Sequence, residues 1–472
     1  MQKINTKDAA FRERALNGNM WKLLLAVGMP LAMYQGLSAL FKILDALMAS
    51  HISAESVSTV AYLSQIQSMI NAIGMGLAAG GGMKISEAYG AGNYTMVRKR
   101  VNSLFAICGA LCVAVLLMIP FSKQILILAN TPESLLAEGQ SYFSVELAAL
   151  VLIFFNTVYI AVERCRGNSK RILKLNLYMT VLKLALTVLF VYVWNMGIVM
   201  IGVASLLSQA VITIAGIINL REKETAFSID LKEVSMEKEV VQPVIKVSYP
   251  VALEKLAFAF GRAIVNSMSS MYGALTVGAL GVSNNICGLI TACQNGMQDG
   301  AASIISQNLG AGNMKRVVEA FWKTMVINVT IGAIGMFVTF AVLRPLSELF
   351  AVSQSGYNQE FHEMIMHIYY YDAGGSAISL GVNAAVMALL FGLGFTKLTL
   401  VINFCRVFVY RIPVLWALQN FTDLGSEGVG VMMMISNVCT SLMSFIIAMV
   451  VLHRIKKNGI NGISYEKENE NN

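Results

Sequence analysis

Several ionisable side chains of this chain stand inside long apolar runs: the acids Asp45, Glu146, Glu254 and Asp372, and the bases Lys42, Lys183, Lys255, Arg262, Arg406 and Arg411. In a hydrocarbon solvent each costs about 2.5–3.5 kcal/mol on insertion scales, so each is a functional candidate. A desolvated carboxylate can take a proton or hold Na+ and release it when water or substrate arrives. Asp45 has a competing role, because Lys42 lies three residues back on the same helix face and can form a structural ion pair. Glu146, Glu254 and Asp372 are candidates for a cavity wall that attracts cationic groups. For Glu146 and Asp372 the alternative is capping or interfacial solvation near a helix end. Tyr371, with Tyr369 and Tyr370 before Asp372, reads as a cation–π surface or, by preference, an interfacial aromatic belt. Lys255 follows Glu254 directly, and adjacent residues do not face each other on a helix, so separate partners are expected. Asp299 falls near a span end and reads as interfacial.

Other chemistries lack their residues. His362 and His367 are five apart, which turns them about 140° around an α-helix, so they do not make a zinc site. The run Gly76–Gly82 (GLAAGGG) lacks the GK[ST] of a phosphate loop and reads as a place of close helix contact or bending. The seven cysteines lie in or beside apolar runs without metal spacing. No metal and no cofactor is expected.

The elements that must position these residues are legible from composition. The chain has 472 residues, 56% hydrophobic and only 13% charged, with a mean hydropathy of +0.64. A soluble chain carries roughly 25% charged residues. Continuous apolar runs, without β-barrel alternation, call for membrane-spanning helices. Twelve are expected: 21–48, 57–82, 101–121, 141–162, 174–195, 198–219, 246–271, 276–304, 320–343, 364–391, 398–418 and 429–452. Every second loop is basic, while the alternate loops carry only Lys123 and Arg344. Both termini are therefore expected in the cytoplasm of a multi-pass protein of the cell membrane. The net charge of +8 follows from these loops and does not point to nucleic acid.

The halves repeat. Pro30 and Pro250 are 220 residues apart, as are Gly90-Ala91-Gly92-Asn93 and Gly310-Ala311-Gly312-Asn313. Gly76/Gly296, Gly80/Gly300 and Lys42/Arg262 keep the same offset. The expected organisation is a cytoplasmic segment 1–20, a six-helix lobe 21–220, a linker 221–245, a second six-helix lobe 246–453 and a tail 454–472. Six spans per half make this a parallel repeat, an arrangement that commonly holds substrate at the repeat interface.

The stretch from Ile43 to Val97, with ISEAYGAGNYTMV at its end, resembles the opening spans of the multidrug and toxic compound extrusion (MATE) family. ISQNLGAGNMKRV (Ile305–Val317) resembles the same pattern in the second half. RGNSK (Arg166–Lys170), GFTK (Gly394–Lys397) and RIP (Arg411–Pro413) stand where that family has its RG-GDTK and RIP patterns. The resemblance implies a V-shaped pair of six-helix lobes that exports bulky, often cationic organic molecules, driven by inward H+ or Na+. It places Asp45 at the family's coupling carboxylate. It makes Pro30, Gly90, Gly92, Pro250, Gly310, Gly312 and Arg411 structural motif residues. Many bacterial members have Asn and Asp sixteen and twenty residues after the Gly of RG. Lys183 and Thr187 stand there in this chain. A lysine there can pair with Asp45 in place of a bound cation, which weakens the Na+ case and leaves a proton relay or a fixed salt bridge open.

The expected function is therefore efflux by alternating access, with small organic substrates, the bilayer as surroundings and a monomeric chain. A flippase for lipid-linked precursors is the alternative within the wider superfamily. A membrane-embedded enzyme is remote, because no convergent His, Asp or Ser set is visible.

Overall fold

An apolar run in lipid must satisfy its own amides, and the α-helix does so within the segment. The computed structural model describes residues 6–52, 54–128, 133–221, 225–353 and 356–458; the side chains of 41–62 lie outside the described residues. The helices are α1 (Thr6–Asn17), α2 (Met20–Ile52), α3 (Ala54–Gly90), α4 (Tyr94–Met118), α5 (Ser122–Leu128), α6 (Glu133–Cys165), α7 (Ser169–Val188) and α8 (Val199–Leu220). They continue as α9 (Lys238–Ser269), α10 (Ala274–Gly310), α11 (Met314–Ala351), α12 (Gln359–Leu393), α13 (Thr396–Phe404), α14 (Ile412–Phe421) and α15 (Glu427–Asn458). A π-helical turn, Cys405–Arg411, joins α13 to α14. A two-residue antiparallel pairing, Val352 with Tyr357 and Ser353 with Gly356, closes the turn between α11 and α12.

Among the described residues, ten helices are long and apolar enough to cross a membrane. The long helices α3 and α9 are not among them. Polar Gln67, Ser68 and Asn71 dilute α3, and Glu254, Lys255 and Arg262 dilute α9. The twelve expected spans thus exceed what apolarity alone supports by these two.

Packing divides the chain into two units, Met1–Arg14 with Leu37–Leu256, and Ala15–Gly36 with Ala257–Asn472. In the first unit, a Cβ on Gly76 would lie 2.7 Å from Ala252 N, and one on Gly80 would lie 2.7 Å from Ser248 N. In the second, a Cβ on Gly296 would lie 2.5 Å from Leu31 O, and one on Gly300 would lie 3.0 Å from Gly28 Cα. The sequence repeat therefore reappears as a packing repeat: a bare glycine face on α3 or α10 receives the backbone of the helix that carries Pro250 or Pro30. Backbone cannot yield as a flexible side chain does. Gly296→Ala is expected to destabilise by about 1–3 kcal/mol through overpacking, read as a lower melting temperature in detergent. Gly288→Ala on the same helix meets nothing within 4 Å and is expected to be neutral or slightly stabilising.

The GAGN motifs are turns. Gly92 and Gly312 have φ of 75° and 74°, the left-handed conformation that glycine adopts without a Cβ clash at a helix C-terminus. The amides of Asn93 and Asn313 bond back to the carbonyls of Ala88 (3.0 Å) and Asn308 (2.8 Å). The Asn93 side chain then caps α4 by accepting from Met96 N at 3.0 Å. Gly167 and Gly394 make the same turn after α6 and α12, with φ of 75° and 80°.

The stretch read as a linker is packed onto the first unit. Phe227 is fully buried, Asp230 N donates to Asn102 Oδ1 at 2.7 Å, and Ser103 Oγ donates to Ser235 O at 2.6 Å. Helix α9 begins at Lys238, within that stretch. The beginning of α1 also docks on this unit: Arg12 donates to Tyr89 O at 3.0 Å and to Gly90 O at 2.8 Å.

Candidate functional site

Five elements of the second unit bring polar side chains together. Asp372 comes from the middle of α12 and is only 1% exposed. Ser283 of α10 donates to its Oδ2 at 3.0 Å. Ser376, one turn on along α12, donates to its Oδ1 at 2.5 Å. Asn437 of α15 then donates from Nδ2 to Ser376 Oγ at 2.6 Å. Its Oδ1 accepts from Arg406 Nε at 3.0 Å and from Arg411 Nη2 at 3.1 Å. Arg411 Nε also donates to Ser436 Oγ at 3.2 Å. The chain of bonds thus runs from carboxylate to hydroxyl to amide to two guanidiniums.

The π turn makes this possible. In an α-helix, residues five apart point about 140° from each other. The wider turn, with its i→i+5 bonds, stacks them, and Arg406 and Arg411 share one acceptor. Helix α9 closes the arrangement. A Cβ at Gly261 would lie 2.1 Å from Val407 Cγ1, so glycine there lets α9 approach the turn. Phe258 and Arg262, three residues before and one after, lie at the same contact. The guanidinium carbons of Arg406, Arg411 and Arg262 stand 5.4, 5.6 and 5.9 Å from the Phe258 ring centroid. A guanidinium over an aromatic ring gains about 0.5–2 kcal/mol from the ring quadrupole.

In the first unit, Glu146 is buried and Gln67 Nε2 donates to its Oε2. Thr187 is buried, and its hydroxyl has no hydrogen-bond partner among the described residues. Lys183 is half-buried on α7. Asp45 and Lys42 lie on α2, but their side chains fall outside the described residues. Glu254 and Lys255 correct an expectation. They do not take separate partners: Lys255 Nζ lies 3.3 Å from Glu254 Oε1, because the long lysine stem reaches along the helix surface to its neighbour. Glu254 Oε2 is buried without a hydrogen bond. Glu146 and Glu254 thus belong to one unit and Asp372 to the other.

The tyrosines before Asp372 divide. Tyr369 is buried, with Phe340 at 6.0 Å, whereas Tyr370 and Tyr371 are exposed. Asp299, read as interfacial, accepts from Gln35 Nε2 at 3.2 Å. Phe258, Ser283, Ser376 and Asn437 were absent from the sequence-derived candidates. The missed signal lay in α15, where Ser436, Thr440 and Ser444 recur every fourth residue in an apolar run, all fully buried.

Long apolar helices, a repeat expressed in packing and charge held at depth define a polytopic helical membrane protein of the transporter kind. The MatE family model matches residues 30–189 and 250–417, and the chain belongs to that family. It is a multi-pass protein of the cell membrane. Among relatives, it is 23% identical over 437 residues to "Probable multidrug resistance protein YpnP" of Bacillus subtilis (strain 168), covering 91% of this chain and 95% of that one. "Multidrug export protein MepA" of Staphylococcus aureus (strain N315) is 22% identical over 339 residues, covering 68% and 74%. Among solved structures, "Crystal structure of MATE in complex with MaL6" superposes with a TM-score of 0.89 at 20% identity, over 94% of this chain and 99% of that one. A MOP superfamily transporter from Pyrococcus furiosus, described by "Reverse polarity of binding pocket suggests different function", gives 0.89 at 20% identity over 97% and 100%.

Proposed function

We propose that this chain exports small organic molecules by alternating access, driven by H+ or Na+ moving inward. All twelve long helical segments then cross the membrane, with both termini cytoplasmic, and the two lobes follow the parallel sequence repeat. The observation that carries this reading is Asp372. It is a carboxylate at membrane depth, held by the hydroxyls of Ser283 and Ser376, with no ion pair among the described residues. Such a group is free to take up and release a proton or a small cation. Protonation removes its charge where burial disfavours it, and carboxylate and hydroxyl oxygens are also the hard donors that suit an alkali cation. The names borne by the relatives support efflux. Asp45, with Lys42, Lys183 and Thr187, is the second candidate for coupling, as the family pattern implies. Glu146, Glu254 and Tyr371 are candidates for the substrate path.

The test is uptake of a fluorescent organic dye by inside-out vesicles under ΔpH and ΔNa+ applied separately. Wild-type protein is expected to accumulate dye under one of the two gradients. Asp372→Asn, which keeps the size and much of the hydrogen bonding, is expected to bring uptake down to that of vesicles lacking the protein. Undiminished gradient-driven uptake in both Asp372→Asn and Asp45→Asn would sink the carboxylate-coupled mechanism.

A further inference from the structure

The three arginines around Phe258 exceed what the function above requires. Among the described residues, no carboxylate stands within ion-pair distance of Arg262, Arg406 or Arg411. The two oxygens of Asp372, on the neighbouring helix α12, accept from Ser283 and Ser376. Arg406 and Arg411 spend one hydrogen bond each on the single oxygen of Asn437. Among the described residues Arg262 makes only the ring contact with Phe258, and the residue is exposed. Three positive charges about one ring repel one another, and in a low-dielectric unit that repulsion is felt strongly. An exposed guanidinium turned to hydrocarbon is costly, so Arg262 must face water or a ligand. The guanidinium fork matches carboxylate and phosphate oxygens in bidentate fashion, and Phe258 offers an apolar face beside it.

We propose that Arg262 and Arg406, set on Phe258, form a binding site for the oxyanion of an organic molecule, a carboxylate, sulfonate or phosphate attached to an apolar body. Arg411 is the inner post: it is buried and tied to Ser436 and Asn437, and it holds the π turn that presents Arg406. Arg262 is the outer contact. The anion carries its apolar body against Phe258 and balances the excess positive charge. Its role as a transported group rests on the exporter reading, but binding needs no gradient, so loss of driven transport and loss of anion binding are separate results.

Two dyes with the same xanthene body test the charge preference: fluorescein, an anion, and rhodamine 123, a cation. Their binding to purified protein in phosphatidylcholine nanodiscs is read by fluorescence anisotropy. Wild-type protein is expected to bind fluorescein the more tightly, with affinity that falls as salt is added. Arg262→Gln is expected to weaken fluorescein at least about tenfold, the loss of one charge-assisted pair, and to leave rhodamine 123 unchanged or tighter. Among the described residues Arg262 makes no hydrogen bond, so this variant is expected to keep the fold, which an unchanged melting temperature verifies. Arg262→Lys, which keeps the charge without the fork, is expected to fall between. Arg406→Gln serves as the second contact variant. Replacing part of the lipid by phosphatidylglycerol identifies the source: displacement of fluorescein assigns the site to a lipid headgroup, and undiminished binding assigns it to a free organic anion. Binding of rhodamine 123 without fluorescein overturns the anion site. So does equal fluorescein affinity in wild type and folded Arg262→Gln.

Discussion

Arg166→Ala is expected to lower the unfolding free energy by about 3–5 kcal/mol, the cost of stripping one partner from a buried ion pair. Arg166 follows α6 with its side chain 5% exposed, 3.3 Å from Asp8 Oδ1 and 3.1 Å from Glu163 Oε1. Its Nη2 also reaches Asp8 Oδ2 at 3.4 Å, and its guanidinium stands 5.4 Å from the Phe227 ring. Glu163 is fully buried. Without the guanidinium, two carboxylates remain inside the unit. Glu163 keeps Asn168 at 2.9 Å and Arg171 at 3.4 Å, but Asp8 loses its guanidinium, one of the contacts that hold α1 beside those of Arg12. Arg171→Ala is the control. Its side chain is 42% exposed, and a solvated ion pair contributes about 0–1 kcal/mol. Thermal melting of both variants in detergent, followed by size-exclusion chromatography, makes the comparison. Equal losses in the two would show that burial does not strengthen the Arg166 pairing.

Asn437→Leu is the second large effect. Leucine keeps roughly the volume but removes the acceptor shared by Arg406 and Arg411 and the donor to Ser376. A hydrogen bond to a charged group is worth about 1.5–3 kcal/mol, so loss of two should exceed about 3 kcal/mol. Leucine in a core is ordinarily welcome. Here it would leave guanidiniums and a hydroxyl in low dielectric without their partner. Thr440→Val, one turn on in the same helix, removes only a local bond to Ser436 O and should cost about 1 kcal/mol. A melting temperature for Asn437→Leu at or above that of Thr440→Val would show that Asn437 is not the hub of the constellation. Gradient-driven uptake in Asn437→Leu is expected to fall with stability, because Ser376, which orients the Asp372 carboxylate, loses its own donor.

Much of this architecture is legible in the residues. Apolar runs dictate helices because lipid offers their amides no partner. The 220-residue offset of Gly76 and Gly296 announces two equivalent close approaches, and the structure supplies Ala252 and Leu31 with Ala32 as the backbones that fill them. The GAGN turns follow from glycine's access to positive φ and from the capping side chain of asparagine. Apolarity is a weaker guide where a span is laden with polar side chains, which is why α3 and α9 stand apart from the ten clear candidates. The same polar content makes α9 informative, since it carries both Glu254 and Arg262.

The candidate site was legible only as a set of separate charges. Sequence shows that Asp372, Arg406, Arg411 and Arg262 lie in apolar runs, and that such charges need partners. It does not show which partners. Asp372 and Asn437 are 65 residues apart, and only the packing of α12 against α15 joins them through Ser376. Read as an α-helix, the five-residue spacing of Arg406 and Arg411 sets them on different faces. The π turn reverses that, and turn type depends on packing against Gly261 and Asn437 as much as on local sequence. Residue types therefore determined that this chain is a repeated helical membrane protein with charge at depth, because solvation and backbone hydrogen bonding act locally along the chain. Tertiary structure alone decided that three arginines meet on one phenylalanine, because side-chain pairing across helices depends on distances that no linear spacing contains.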